Sequence, residues 1–211
     1  MEDRSKIAVS LFNKNANLYE EKYMDISLYH KSLDLFCDTL NNKNAKLLEV
    51  ACGPGNITSY LIRNEPDFKI LGTDLAPNMI ELAKVNNPTA NFQLLDCRTI
   101  SSLGAKFDGI ISGFCLPYLS KEEAIKFIFD SATQLNEKGV LYISTMEDYN
   151  SKSNYVKGST GEELFMNYHE ASYLTNALEI NNFEIISIDR IEYETIPNEK
   201  TVDLIIIARK K

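Results

Sequence analysis

The residues best suited to chemistry fall at four places along the chain. Glu49-Val50-Ala51-Cys52-Gly53-Pro54-Gly55 closes an apolar run with two glycines. Gly53 and Gly55 let the backbone turn sharply and approach a ligand closely, where a Cβ would obstruct. Residues 57–62 can then open a helix whose free N–H groups point back at the bound molecule. Asp74 lies 19 residues beyond Gly55, the offset at which an acid accepts hydrogen bonds from a ribose diol. Asp96 ends the next apolar segment and Gly113-Phe114-Cys115 the one after it. One nucleoside-shaped ligand could touch all four places. Each acid also has an alternative duty, Asp74 as a cap for the helix beginning near Pro77 and Asp96 as a cap for the turn before Thr99.

A second set could handle an acceptor. His169 stands where a long polar segment meets a helix, and its ordinary pKa suits it to act as a general base. A surface histidine near a helix start is the alternative reading. Tyr19 and Tyr23 are placed to orient an acceptor or an amino-acid carboxylate, and Tyr118 to close the site beside the fourth strand. Cys115 reads as a small packed residue.

These residues need a scaffold, and the periodicity supplies one. Residues 7–40 read as helical, with Leu33, Leu35, Phe36 and Leu40 as an apolar stripe. Strands are expected at residues 46–51, 68–74, 91–96, 106–113 and 140–146, alternating with helices. The helix after the fourth strand is announced by Ser120 with Glu123 three residues later, a capping box. Strict alternation of strand and helix implies right-handed crossovers and a parallel sheet covered on both faces. In such a sheet ligands sit beyond the carboxyl ends of the strands, where strand order reverses, and all four marked places fall there. Residues 148–168 break the rhythm; they are polar, contain Gly158 and Gly161, and are too long for an ordinary connection. A closing helix over 170–182 and two strands over 183–188 and 202–208 follow, joined by a short link containing Pro197, so these strands should pair as an antiparallel hairpin.

Composition bounds the function. The 211 residues are 44% hydrophobic and 25% charged, as in globular domains. The net charge of -8 argues against general affinity for nucleic acid, which needs Lys and Arg to displace counterions. Cys37, Cys52, Cys97 and Cys115 are widely spaced with no CxxC pair, and there are two histidines in all, so no metal site is expected. No apolar run approaches membrane-spanning length, and the expected location is cytoplasmic, with no membrane partner.

At this point the sequence resembles the class I S-adenosylmethionine-dependent methyltransferases, of the small-molecule, methyltransferase domain 11/25-like type. The motifs that carry the resemblance run from Leu47 to Ser144, and the element order extends it to the whole chain. The resemblance implies a Rossmann-like α/β fold: a seven-stranded, mostly parallel sheet in the order 3-2-1-4-5-7-6, with the antiparallel hairpin last. It implies that Glu49, Ala51, Cys52, Gly53 and Gly55 form the first cofactor motif, that Asp74 holds the ribose, and that Asp96, with Cys97 beside it, faces the adenine amino group. Leu75 and Met79 would flank the adenine. Gly113, Phe114 and Tyr19 would complete the cofactor site. Ala51 departs from the glycine most common in the family, a change small enough to be tolerated.

The expected function is therefore methyl transfer from S-adenosyl-L-methionine, leaving S-adenosyl-L-homocysteine, to a small-molecule O, N or C nucleophile by in-line displacement. Tyr23, Tyr118 and His169 would meet the acceptor, and no metal would be required. One domain is expected over 1–211, with a helical cap (1–44), a cofactor-binding core (45–147), a possible substrate lid (148–169) and a closing helix and hairpin (170–211). Two alternatives stand beside it: a cofactor-binding partner subunit without transferase activity, and a nicotinamide-dependent dehydrogenase. The dehydrogenase reading is weakened because Gly53-Pro54-Gly55-Asn56-Ile57-Thr58 lacks the third glycine of GxGxxG. DNA amino-methylation is disfavoured because Cys115-Leu116-Pro117-Tyr118 lacks the polar first residue and first proline of the corresponding motif.

Overall fold

Two adjacent leucines show how the chain builds its core. Leu47 and Leu48 lie in β1 (Lys46–Val50), and successive strand residues point to opposite faces. Leu47 packs with Leu33, Phe36, Leu61, Ile70, Ile111 and Tyr142 on one face, and Leu48 with Ile110, Phe127, Ile128, Leu174 and Phe183 on the other. Ile110 and Ile111 of β4 (Phe107–Gly113) divide in the same way. Strands buried on both sides read as continuous apolar runs, as here.

The computed structural model describes residues 4–157, 161–196 and 199–211. The main sheet adds β2 (Lys69–Asp74), β3 (Asn91–Leu94), β5 (Leu135–Met146), β8 (Phe183–Ile196) and β9 (Glu199–Lys210), in the order β3-β2-β1-β4-β5-β9-β8. The first five strands are parallel, β9 runs antiparallel to β5, and β8 is antiparallel to β9. This is the order expected from the sequence, once two strands inside the long segment are counted. The switch point falls between β1 and β4.

Helices α3 (His30–Leu40) and α4 (Asn56–Asn64) supply cover on the Leu47 face; α6 (Lys121–Gln134) and α7 (Ala171–Ile180) cover the Leu48 face. The capping box forms: Ser120 Oγ accepts the Glu123 amide at 3.2 Å and Glu123 Oε2 accepts the Ser120 amide at 2.8 Å. α5 (Pro77–Asn86) follows β2.

Three expectations are corrected. The run over 7–40 is not one helix but α1 (Arg4–Lys14), α2 (Ala16–Tyr23), a 3-10 turn (Ser27–Tyr29) and α3; the pieces bend so that α1 and α2 can lie across α5. Residues 148–168 are not loop throughout, since β6 (Asn154–Lys157) and β7 (Glu163–Met166) form an antiparallel ladder. This hairpin rests on α1, with the Arg4 guanidinium 3.7 Å from the Phe165 ring centre and Lys14 Nζ 2.7 Å from Glu162 Oε1. The closing strands run well past the residues expected for them, because their outer halves pair with each other beyond the edge of the core. Pro197 and Gly158 lie outside the described residues. Among the described residues no helix is long and apolar enough to cross a membrane, and no group of three His, Cys, Asp or Glu side chains could hold a metal ion.

Candidate active site

The carboxyl ends of β1, β4 and β5 open into a cleft of about 1000 Å³, roofed by α1, α2 and the β6–β7 hairpin. Its floor is the turn after β1. Ala51, Gly53 and Gly55 all have positive φ, at 54°, 54° and 82°, a left-handed conformation that is strained for any residue with a Cβ. Gly53 faces the cleft. A Cβ built on Gly55 would fall 2.3 Å from Asn87 Nδ2, so this glycine is demanded by packing against the end of α5. The Asn87 side chain in turn donates to the Gly55 carbonyl at 3.0 Å.

Of the residues expected to bind a cofactor, the cleft is lined by Tyr19, Glu49, Ala51, Cys52, Gly53, Gly113 and Phe114, and of those expected to meet an acceptor, by Tyr23 and Tyr118. Glu49 is fully buried, receives the Thr58 hydroxyl, and has its pKa pushed up by burial to about 8. An aromatic chain joins roof to wall: Phe12 lies edge-on to both Tyr19 (5.7 Å) and Tyr118 (5.0 Å), and Tyr19 stands 4.6 Å from Tyr23. Burial drives the Tyr19 and Tyr118 phenols well above their ordinary range, as it does the Cys52 thiol.

The other expected cofactor residues stand behind this wall. Asp74 ends β2 with Oδ2 accepting the Gly53 amide at 2.9 Å and Oδ1 the Ala76 amide at 2.8 Å; burial raises its pKa against those two bonds. It does not cap the helix Pro77–Asn86, whose N-cap is Ala76 with no side-chain cap bond; its carboxylate instead ties the turn before that helix. Leu75 is half-buried beside it. Met79 is buried under Ala16, Phe12 and Tyr19 of the N-terminal helices. Asp96 accepts the Arg98 amide at 2.9 Å and also binds the Arg98 guanidinium at 2.6 Å, so it caps the following 3-10 helix. Cys97 is half-buried next to it, its thiol toward the buried Cys115.

His169 is displaced from its expected place. It is 0% exposed and absent from the cleft wall. Nε2 donates to the Leu116 carbonyl at 2.7 Å, which leaves Nδ1 as the acceptor for the Tyr173 hydroxyl. Burial lowers its pKa. A ring with both nitrogens satisfied inside the core has no lone pair for an acceptor in the cleft, so the geometry gives His169 a structural role as a strut between the β5 end and the Leu116 turn.

Sequence reasoning missed Tyr29, Tyr142, Tyr193 and Asp203. All three tyrosines line the cleft. Asp203 is 0% exposed and accepts hydrogen bonds from Tyr29 Oη at 2.6 Å and Tyr193 Oη at 3.1 Å. The signal was present in Val202-Asp203-Leu204-Ile205-Ile206-Ile207, one acid at the head of an apolar strand.

Residues 47–139, which hold the glycine turn and the half-buried acid latched to it, match the family described as methyltransferase domain. Among relatives, the malonyl-[acyl-carrier protein] O-methyltransferase of Priestia megaterium is 32% identical over 139 residues, 64% of this chain and 49% of that protein. Magnesium protoporphyrin IX methyltransferase of Synechocystis PCC 6803, solved with bound S-adenosylmethionine, superposes with a TM-score of 0.75 at 17% identity, over 100% of this chain and 99% of that one. The complex of DhpI with S-adenosylhomocysteine gives 0.75 at 16%, over 99% and 97%. At such identities the solved structures speak for the fold. The chain spans about half the length of the curated relatives it matches.

Proposed function

We propose that this chain binds S-adenosyl-L-methionine and transfers its methyl group to a small-molecule acceptor by in-line displacement. The observation that carries the reading is the Gly53–Asp74 hydrogen bond beside the cleft floor, which sets a glycine turn and an acid side by side at the switch point. The donor set suits the cofactor. Glu49 offers a carboxyl group whose ionised form an α-ammonium group would stabilise, Asp74 offers oxygens to a ribose diol, and the Leu75–Met79 surface offers an apolar bed to adenine. Once bound, the cofactor supplies an activated methyl on a sulfonium. The protein's task is then to align the acceptor and keep the site dry, and positioning alone can supply much of the rate.

The roof fits that task. α1 and α2 lie over Met79 and Ala76, and they are fastened to α5 by Asn13 with Asn78 and by Glu20 with Asn86. Admission of the adenosine half would need this cover to shift, and on this reading α1 to α3 act as a cap and the β6–β7 hairpin as a lid. A cleft of about 1000 Å³ is at the top of the range for small-molecule sites, enough to hold an acceptor beside the reactive end of the cofactor.

Calorimetry with S-adenosylmethionine and S-adenosylhomocysteine tests the first step, with binding of both expected. A methyl-release assay over a metabolite panel tests the second. Binding without release from any acceptor would leave a cofactor-binding subunit, and no binding of either ligand would end the reading.

A further inference from the structure

Hydrogen accounting at the deep end of the cleft defines what it can recognise. Tyr29 and Tyr193 both donate their phenol protons to Asp203. Ser32 has one hydroxyl proton and gives it to the Tyr29 carbonyl at 2.8 Å. Its 3.1 Å contact with Tyr142 must therefore run with Tyr142 as donor. All three phenols on this wall have their protons turned inward, so the cleft meets oxygen lone pairs. No cationic side chain contacts Asp203 among the described residues. Tyr29 also packs edge-on against Phe114 at 5.4 Å, which puts this wall next to the end of β4.

We propose that Tyr29, Asp203 and Tyr193 form the acceptor-reading site, which selects a hydroxyl or amine and passes its proton through the Tyr29 phenol to Asp203. The proposal rests on the methyl-transfer reading. The acceptor X–H donates to Tyr29 Oη. As the C–X bond forms and the C–S bond breaks, the X–H proton moves to Tyr29 Oη and the phenol proton to Asp203 Oδ2. The electron pair of the broken bond stays on sulfur. Sulfonium and carboxylate charges cancel, leaving a neutral thioether, a methylated acceptor and a protonated Asp203. Tyr29 is the catalytic residue; Asp203 and Tyr193 act through it.

A carboxylate acceptor would find only lone pairs on this wall and a buried anion behind them. The charged groups at the mouth do not reverse this preference. Four lysines line the cleft: Lys152 pairs with Asp148 at 2.8 Å, Lys200 with Glu192 at 3.1 Å, Lys22 lies over the Tyr23 ring and Lys157 stands on β6, while Glu147 is held by Arg190. The groups facing the cluster are Tyr142 of β5, Asp189 of β8 and Tyr23 of α2. None is a cation. Burial raises the Asp203 pKa while its two phenol bonds lower it, consistent with a carboxylate that takes a proton readily.

The test uses the full chain with three probes of matched shape, benzyl alcohol, benzylamine and benzoate, with binding measured by calorimetry with and without S-adenosylhomocysteine. The alcohol and amine should bind and benzoate should not, and Tyr29→Phe should weaken the first two by about tenfold. Tighter binding of benzoate, no binding of any probe, or indifference to Tyr29→Phe overturns the proposal. In parallel, the carboxyl resonance of Asp203, assigned with Asp203→Asn, should titrate above the ordinary carboxylate range and shift in Tyr29→Phe. Titration at the ordinary value overturns the proton-accepting role even where a variant folds poorly. Failure of S-adenosylhomocysteine to bind would sink the methyl-transfer reading instead, and the probe measurements are read independently of it.

Discussion

Asp74 Oδ2 accepts the amide proton of Gly53 at 2.9 Å, so the acid that ends β2 is latched to the turn that ends β1. The same carboxylate is the group that would receive a ribose diol, and it can serve both because its oxygens have about four lone-pair directions between them. Removing it loosens the turn as well as the ligand. Asp74→Ala should weaken S-adenosylhomocysteine binding at least tenfold and lower unfolding free energy by about 1–3 kcal/mol. Asp74→Asn, which keeps one acceptor oxygen, should cost less on both counts. Calorimetry and urea denaturation measure the two effects; unchanged affinity in Asp74→Ala would remove the ribose role.

The glycine turn yields a second prediction because its members are left-handed for different reasons. Ala51 carries a Cβ at φ 54°, which costs about 1–2 kcal/mol, while glycine there would lose about 0.5–1 kcal/mol of chain entropy. Ala51→Gly should therefore leave stability unchanged or raise it slightly. Gly55→Ala should destabilise by about 2 kcal/mol or more, since the new methyl meets Asn87 Nδ2 at 2.3 Å and φ is 82°. Adding Asn87→Ala should recover part of that loss, the part owed to the clash. A double-mutant cycle by thermal or urea unfolding reads this directly; strict additivity would contradict it.

Two buried groups give opposite pH signatures. Burial raises Glu49 from 4.5 to about 8, so the folded chain binds an extra proton in that window and stability falls as pH rises through it. Glu49→Gln should flatten that fall, by on the order of 2 kcal/mol between pH 5 and 8. His169 behaves in the reverse sense. Its pKa is lowered from 6.5, the unfolded chain binds the extra proton, and stability is lost as pH drops below about 6.5. His169→Asn should be less stable than the wild type at pH 7.5 by about 1–3 kcal/mol because two buried partners lose their bonds, and the gap should narrow on acidification. Urea unfolding at pH 5, 6, 7 and 8 distinguishes the variants; a constant gap for His169→Asn would mean that the ring does not titrate as described.

Much of this was legible because one-dimensional signals coincide with three-dimensional causes. The alternation of apolar residues at Leu47 and Leu48, and at Ile110 and Ile111, dictates a doubly covered sheet, and Ser120 with Glu123 marks the start of α6 to the residue. His169 misled because a histidine at a loop–helix junction has the same local sequence whether it faces solvent, ligand or core; only the Leu116 carbonyl, 53 residues away, decides. The Tyr29–Asp203 pair was hidden for a related reason. Tyr29 and Asp203 are 174 residues apart, and nothing local to either announces the other. The β6–β7 hairpin was obscured by its polar composition, since it draws on contacts with α1 such as Arg4 over Phe165.

That Arg4 contact leads to the last prediction. The guanidinium sits 3.7 Å from the Phe165 ring centre and 5.9 Å from that of Tyr155, whose ring is edge-on to Phe165 at 5.1 Å. Nearby, Glu162 receives both Lys14 and Asn15. A cation over aromatic faces contributes about 0.5–2 kcal/mol depending on desolvation, and the exposed ion pair less. The arginine is therefore the stronger fastener of the two. Arg4→Ala should increase amide exchange across β6 and β7 by several-fold while leaving exchange in β1 and β4 unchanged, because the hairpin is a sheet of its own and carries none of the main sheet's core. Lys14→Ala should do less. If the lid orders the acceptor, Arg4→Ala should also raise the acceptor KM with little change in S-adenosylhomocysteine affinity, whereas weaker binding of the homocysteine product would mean that the hairpin closes over the cofactor itself.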